Sequence, residues 1–403
     1  MKKLLNFEYA CIHGAYWMYY GAICSFASVF LLARGYSNSE IGIIFAVANI
    51  LAVVLQPVMA DLADRTKRIS VIGITEMATV LMMVLTIGLF VLSGKSFGLA
   101  LVFILLIAWH TVLQPLFNSL TFRLEKCGIS INFGVARSMG SLAYSALMAI
   151  LGTLVEAHGI TILPITGETV LVMLMVSLFF TKKHYDKAKK LNKEETPDDV
   201  ADVKDSENDI NLIEFIKGNK IFFVINLGVI GLYFSNSVLN NYMIQIVESV
   251  GGNSEDMGRI LSVMAFLEIP TMVCFNFLRK KFSCQFMLKV AAVGFTVKIA
   301  LCYIANSVAM ILVAQFFQLV SFALFLPAMV HFINEVMRKG EAIKGQALFT
   351  TMITVTTVFS SFLGGIILDV SDAKMLTLIS TIATAAGAAL IIATVDKAGN
   401  SKS

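Results

Sequence analysis

Charge is what this 403-residue chain has least of. Asp, Glu, Lys and Arg together make up 14% of it, where soluble domains carry about a quarter. That shortage excludes an ordinary water-soluble globule, and with a net charge of only +4 no nucleic-acid partner is expected. Cysteine is sparse too. The six residues, at 11, 24, 127, 274, 284 and 302, lie scattered and mostly inside apolar runs. No spacing among them suits a metal or a disulfide framework, so they read as small packing residues. A Walker-type nucleotide loop is missing, which excludes ATP as the direct energy source. No metal cluster or nucleophile–base motif supports an enzyme, and no appended soluble domain supports a receptor; no cofactor is expected. Lys2 and Lys3 precede the first apolar run, but no small-residue cleavage site follows Tyr19-Tyr20. The run is therefore read as a retained span and not as a signal peptide.

Apolar residues are what the chain has instead: 57%, with thirty Phe and twenty Met, and a mean hydropathy of +0.80. A helix rises about 1.5 Å per residue, so ~20 apolar residues cover the ~30 Å hydrocarbon core of a bilayer. Runs of that length fall at 7–33, 40–60, 70–93, 98–120, 132–156 and 160–181. They resume at 219–247, 257–278, 285–305, 307–334, 345–369 and 374–394. The expected fold is an all-α integral membrane protein with twelve transmembrane helices in two six-helix bundles. Residues 1–181 form the first bundle, 182–218 a cytoplasmic central loop, 219–394 the second bundle and 395–403 a cytoplasmic tail. The central loop opens on Lys182, Lys183, Lys187, Lys189, Lys190 and Lys193 and turns acidic through Asp209, as a solvated linker does. Ile210, Leu212, Ile213 and Ile216 share one face of a short interfacial helix.

Twelve spans imply alternating loops, so cation placement gives the orientation. Counting Lys220 at the edge of span seven, 24 of the 31 Lys and Arg fall in the termini and in the loops after even-numbered spans. Only Arg34, Lys95 and Lys374 fall in the others. The excess persists in the short loops alone, so both termini are expected on the cytoplasmic side. The halves also repeat. Pro57 stands ten residues before Lys67 and Pro270 ten before Lys280; Pro115 precedes Gly134 by 19 and Pro327 precedes Gly345 by 18.

The stretch from Ile41 to Arg68 carries a specific signature. An almost uncharged span ends abruptly in Asp61-Leu-Ala-Asp64-Arg65-Thr-Lys67-Arg68. This D-x-x-D-R-x-K-R turn after span two resembles the loop 2–3 motif of the major facilitator superfamily. Gly42 and the pair Gln56-Pro57 are similar to its lactose-permease-like branch. Asp61 stands where the motif usually has Gly, and Asp64 at its acidic position. The resemblance implies two bundles that rock about a midplane site, with Asp61, Asp64, Arg65, Lys67 and Arg68 as a gate motif whose role is conformational.

A charge at the bilayer centre costs about 2.5–3.5 kcal/mol or more, so ionisable groups inside spans are functional candidates by default. They are Glu76, His110, Arg137, Glu168, Glu268, Lys298 and His331, with Glu8 and His13 near a helix start. Glu156, Arg259, Lys289 and Asp369 lie close enough to span ends to snorkel. Arg137 sits in Phe133-Gly-Val-Ala-Arg137-Ser-Met-Gly140, with Ser141 and Tyr144 at i+4 and i+7 on the same face. The pattern is similar to span five of the lactose-permease-like branch, which implies substrate contact for Arg137 and ring stacking for Tyr144. A clamp on the cytoplasmic gate is the other reading of Arg137. Glu268 in span eight and Lys298 in span nine read as a buried acid–base pair, each offsetting the other's desolvation. Such a pair serves either proton coupling or static structure. An acid in span eight resembles the phenylpropionate-permease branch.

Polar stripes at helical spacing complete the candidate site: His13, Tyr16, Trp17 and Tyr20 in span one, and Tyr233, Asn236 and Asn240 in span seven. In lipid such groups face partners or a wet cavity. Gln315 and Gln318 are within reach of the cavity but nothing in the sequence orients them, and His110 and His331 read more readily as hydrogen-bonded packing groups than as switches. The resemblance breaks at acidic positions of the branch, where this chain has Ser119, Asn240 and Phe325. It therefore implies architecture and general mechanism, and not the sugar or its proton site. The reading is a monomeric secondary transporter in the cell membrane that moves a small polar or amphipathic solute of the sugar, nucleoside or aromatic-acid class. Proton symport is favoured, and the alternative is a proton-antiport exporter of drugs or metabolites. Its partners are the solute, protons and the lipid bilayer.

Overall fold

The computed structural model describes residues 2–65, 70–126, 133–192, 215, 218–338 and 341–400. Twelve helices are long and apolar enough to cross a bilayer, and no strand occurs among the described residues. In chain order they are α1 (Leu4–Ala33), α2 (Asn38–Arg65), α3 (Val71–Val91), α4 (Phe97–Lys126), α5 (Phe133–His158) and α6 (Ile162–Asn192). The second set is α7 (Lys220–Asn241), α8 (Ser254–Lys281), α9 (Cys284–Ile304), α10 (Val308–Val336), α11 (Ala342–Val370) and α12 (Ala373–Asn400).

Helix ends differ from the sequence expectation where polar residues extend or break a helix. The cationic segment after residue 181 continues α6 to Asn192, because its first turns find partners on the bundle. Lys182 Nζ lies 2.5 Å from Glu76 and His184 Nδ1 2.8 Å from Glu8. At the chain's end, α12 likewise runs to Asn400, where a tail was expected. Span seven instead stops at Asn241 and resumes as a short helix, Met243–Glu248. The interfacial helix expected around residues 210–216 lies outside the described residues except for Phe215, which is buried against the second bundle.

Equivalent helices of the two halves pack alike. In the first half α5 and α6 lie on α1, α4 on α2 and α3, and α3 on α6; in the second α11 and α12 lie on α7, α10 on α8 and α9, and α9 on α12. The repeat reaches single residues. Ser70 caps α3 by accepting from Gly73 N, and Ser283 caps α9 by accepting from Phe286 N, leaving fewer N–H groups unpaired at each start. The expected proline pairs fall inside α2 and α8 (Pro57, Pro270) and inside α4 and α10 (Pro115, Pro327). Side chains such as Val58, Val84, Val273 and Phe277 are exposed, as lipid-facing groups of a bundle are.

The halves meet through α2 on α11 and α5 on α8, but only at one end. One hydrophobic core runs continuously from the first bundle into Val238–Val247, Met257–Ala265 and Leu368 of the second. A separate core around Phe325, Met329 and Phe332 fills the other end of the second bundle alone. The interface is thus sealed at the end that carries residues 34–37 and 242–253, and parts at the end that carries the termini.

Candidate functional site

Two helices are interrupted where they border the interbundle space. From Tyr20 to Ser25, α1 is π-helical, a distortion frequent at functional sites. It starts at Tyr20 and ends at Ser25, whose hydroxyl lies 3.0 Å from that of Tyr144. Helix α10 is α-helical only to Gln315, passes through a 3-10 turn over Phe316–Leu319 and restarts at Phe322. The Leu319 carbonyl freed by the break accepts from Thr271 Oγ1 of α8 at 2.9 Å.

Between the bundles lies a cavity of 180 Å³. From the first half it is lined by Trp17 and Tyr20 of α1 and by Arg137, Ser141 and Tyr144 of α5. From the second it is lined by Asn236 and Asn240 of α7, Met264, Ala265 and Glu268 of α8, and Gln318 and Phe322 of α10. The i, i+4, i+7 spacing on α5 therefore does put three side chains on one wall. Gly140 brings that wall against α1: a Cβ there would stand 2.6 Å from Trp17 Cδ1 and 3.2 Å from the His13 carbonyl. The Arg137 guanidinium lies over the Trp17 ring, 4.2 Å from its centroid, and donates from one terminal nitrogen to Ser141 Oγ at 3.1 Å. Cation–π contacts of this kind contribute about 0.5–2 kcal/mol and fix the plane of the guanidinium.

Glu268 and Lys298 are close but form no direct ion pair. Lys298, 2% exposed, donates to Gln318 Oε1 at 2.6 Å and touches Met264 Sδ at 3.6 Å. Gln318 Nε2 in turn donates to Glu268 Oε1 at 2.8 Å. The expected acid–base pair is thus bridged by one amide whose carbonyl faces the cation and whose NH₂ faces the carboxylate. Sequence spacing pointed to α8 and α9 and named Gln318 of α10 as within reach of the cavity without orienting it, because a broken helix destroys the periodicity that would do so. Met264 and Phe322 were missed; each stands four residues from a polar wall residue, Glu268 and Gln318, which is the one signal available.

Other expected site residues lie elsewhere. Tyr16 is buried in the first bundle, stacked on His110 with ring centroids 4.0 Å apart, and its hydroxyl donates to the His110 carbonyl. His110 Nε2 donates back to the Tyr16 carbonyl at 3.1 Å, a packing role. Tyr233 sits among Phe295, Phe322, Phe325 and Phe349 and does not line the cavity. Asn240 Nδ2 donates to the Asn236 carbonyl at 2.8 Å. His13 borders a second, larger space of 710 Å³ that opens at the parted end and meets the first at Trp17 and Arg137. Gln114, Asn118, Asn276 and His331 also line this vestibule, and His331 stacks on Phe275 with centroids 5.5 Å apart. Of the gate motif, Asp61 is exposed near the end of α2, Asp64 and Arg65 fall in its last turn, and Lys67 and Arg68 lie outside the described residues.

The opposite end is closed. Asp369, at the end of α11, accepts from Asn38 N and Nδ2 at 3.0 Å each and from Ser39 N at 2.8 Å, all at the start of α2. Glu156, near the end of α5, accepts from Ser254 N at the start of α8 at 2.9 Å. Between them, Ser145 and Ser262 exchange hydroxyl-to-carbonyl bonds of 2.9 and 2.8 Å. Tyr242 donates to the Ser361 carbonyl, and Gln245 to Asn38 Oδ1 at 2.9 Å.

Comparison with known proteins agrees with this architecture. A solved mutant of the nucleoside transporter NupG superposes with a TM-score of 0.80 at 13% identity, covering 97% of this chain and 99% of that one. A D-xylose-proton symporter gives 0.65 at 12% identity, over 98% and 97%. An inward-facing bacterial homologue of the human lysosomal transporter Spinster gives 0.58 at 15%, over 98% and 94%. At these identities the likeness establishes the fold alone. No curated protein matches significantly. The profile of the MFS_1 like family, however, matches residues 9–379. The chain belongs to that family, and is a membrane transporter of the major facilitator superfamily and not an enzyme.

Proposed function

We propose that the protein carries a small polar or amphipathic solute, of the sugar, nucleoside or aromatic-acid class, across the cell membrane by alternating access with a coupled proton. The observation that carries the reading is the cavity itself. It lies between the bundles, has Arg137 on one wall and Glu268 on the other, is closed toward one end and meets a wide vestibule at the other. A solute held by both walls draws the bundles together, which is what alternating access needs. The excess of cations in the termini and in the loops after even-numbered spans supports a cytoplasmic vestibule. Asp61, Asp64 and Arg65 close α2 beside that vestibule, in keeping with a conformational role for the motif that Lys67 and Arg68 complete in sequence, and a monomer suffices, since one chain builds the whole cavity.

Glu268 is the proton site in this reading. Ionised, it holds the Gln318 amide and through it Lys298. Protonated, it no longer attracts that amide as an anion, and α10 is freed at the segment where its helix is already broken. A nucleoside transporter and a proton symporter of a sugar among the structural neighbours are in keeping with such a carrier.

In proteoliposomes, Glu268→Gln is expected to keep solute counterflow and to lose accumulation driven by a pH gradient. Concentrative uptake by this variant would move the proton site elsewhere, with Glu76 and His331 next. Proton release on solute loading would assign the antiport exporter instead. Cysteines placed at residues 95 and 205 are expected to label from opposite faces, and same-side labelling would overturn the orientation.

A further inference from the structure

We infer that the end of α6 is a binding site for an anionic phospholipid of the leaflet on the side of the termini. The lipid phosphate lies between Lys183 and Lys187, and an acyl chain runs along Val172, Val176 and Phe179. The inference needs only the embedding of the chain in a membrane, so it stands or falls apart from the solute and the proton.

It follows first from length. Helix α6 runs from Ile162 to Asn192. At about 1.5 Å per residue, ~20 residues cross the ~30 Å hydrocarbon core, which is used up near Lys182. Lys183 therefore stands at the edge of the hydrocarbon. Lys187 stands about 6 Å further out, within a headgroup layer of roughly 5–8 Å.

Rotation of the helix decides what these lysines face. Lys182 Nζ is held by Glu76 of α3 at 2.5 Å, and His184 Nδ1 by Glu8 of α1 at 2.8 Å. Thr181 is buried in the bundle. The two clamps flank residue 183 on opposite sides, so position 183 looks away from the protein. Lys183 and Lys187 are exposed, and no ion pair among the described residues includes them. Back along the helix, the same face carries Phe179, Val176 and Val172, all exposed. A lysine that continues a lipid-facing apolar stripe lays its stem along the stripe and its ammonium among the headgroups.

Charge decides which headgroup fits. From 182 to 190 the sequence holds Lys182, Lys183, Lys187, Lys189 and Lys190 against Asp186 alone. Such a cluster directly beyond a span attracts anionic lipid, whereas a zwitterionic headgroup brings its own cation. Lys183 and Lys187 are one helical turn apart, with Cβ atoms about 5–6 Å from each other, close enough to share one phosphodiester. The equivalent end of the second half does not repeat this patch. There α12 carries Asp396 and Lys397, and Asp396 is already paired with Lys289 of α9. The patch is thus a property of α6 and not of every helix end at this surface.

The test reads the lipid beside α6. Phe179→Trp puts a fluorophore on the stripe of the full-length protein, in vesicles of phosphatidylcholine and phosphatidylglycerol with one or the other carrying brominated chains. Quenching beyond that of the protein without this substitution gives the lipid composition at residue 179. Phosphatidylglycerol is expected there at about tenfold its bulk share: two lysines at roughly fivefold each, reduced by Asp186. Adding Lys183→Gln and Lys187→Gln is expected to return it to the bulk share. Lys183→Arg with Lys187→Arg, and separately Lys397→Gln, are expected to leave the enrichment in place. Quenching by brominated phosphatidylcholine verifies that each variant is inserted. The inference is overturned if phosphatidylglycerol sits at its bulk share, if the enrichment survives loss of both lysines, or if Lys397→Gln removes as much of it. Displacement of the lipid by soluble glycerol 3-phosphate would overturn it too, and make the patch a site for dissolved anions.

Discussion

The two ends of the interbundle interface share helices α5 and α8 and are chemically opposite. At the closed end α2 lies on α11 and α5 on α8 closely enough that a side chain does not fit. A Cβ at Gly42 would stand 2.5 Å from the Ser361 carbonyl, and one at Gly258 2.7 Å from the Met148 carbonyl. At the open end the same helices α5 and α8 present Val135, Met139, Met272 and Asn276 to a vestibule of 710 Å³. Small residues let backbones touch, and in lipid that packing is what holds helices together. The closed end is therefore a backbone seal, and among the described residues the open end shows no small-residue seam of this kind with which to copy it. Closure of the vestibule has to come from side chains, which makes the two closed states unequal in kind.

The strongest way to break this contrast is to put bulk into the seal. Gly42→Leu and Gly258→Leu are each expected to force α2 from α11, or α8 from α5. Overpacking costs about 1–3 kcal/mol, which moves a two-state equilibrium about 5–150-fold. A cysteine at position 245, next to the seal, is expected to react with a membrane-impermeant maleimide faster by a factor in that range. An unchanged rate would show that the seal is not what holds this end shut.

Much of that seal was invisible in the sequence, and the reason is physical. Length and hydropathy reveal spans because a bilayer imposes one dimension on all of them, so twelve helices and their repeat were legible. The α5 wall was legible too, since an uninterrupted helix keeps Arg137, Ser141 and Tyr144 in phase. The Tyr16 and Tyr233 positions were not: a polar ring at helical spacing can turn to the cavity or to a neighbour such as His110, and periodicity alone does not choose. The orientation of Gln318 was hidden by the break in α10, which no proline marks; Pro327 lies beyond the restart at Phe322. Glu156 and Asp369 looked like groups free to snorkel, because their partners are backbone N–H groups of helices distant in sequence.

Those two carboxylates give the next prediction. Each ends a helix of one bundle and caps the start of a helix in the other, and the halves exchange their positions: α11 on α2, α5 on α8. An anion at a helix N-terminus is favourable by roughly 0.3–1 kcal/mol, and up to ~2 in partly buried geometry. Asp369 collects three bonds, from Asn38 N, Asn38 Nδ2 and Ser39 N, whereas Glu156 has the Ser254 bond. Asp369→Asn is expected to speed labelling at position 245 about tenfold, and Glu156→Gln only about threefold, consistent with those energies. Equal effects would mean that the caps contribute through overall charge and not through directed bonds.

The smallest effect sharpens the contrast by adding pH. Glu248 ends the short helix beyond α7, outside the spans. Partial desolvation first, and then the Glu156 carboxylate, hold its carboxyl above the usual carboxylate range. An acid raised in the closed arrangement binds its proton more tightly there than in an open one, where it returns toward its ordinary value. The sign follows: protonation favours closure, the contribution is full below the ordinary carboxylate pKa, and it is lost as pH rises through the raised value. Lowering the pH from neutrality into the ordinary carboxylate range is therefore expected to slow labelling at position 245. The change is about threefold or less, since partly exposed charges interact by under ~1 kcal/mol. Glu248→Gln is expected to hold the labelling rate at its acid value across the range. A pH dependence that survives this substitution would show that Glu248 is not the group that carries it.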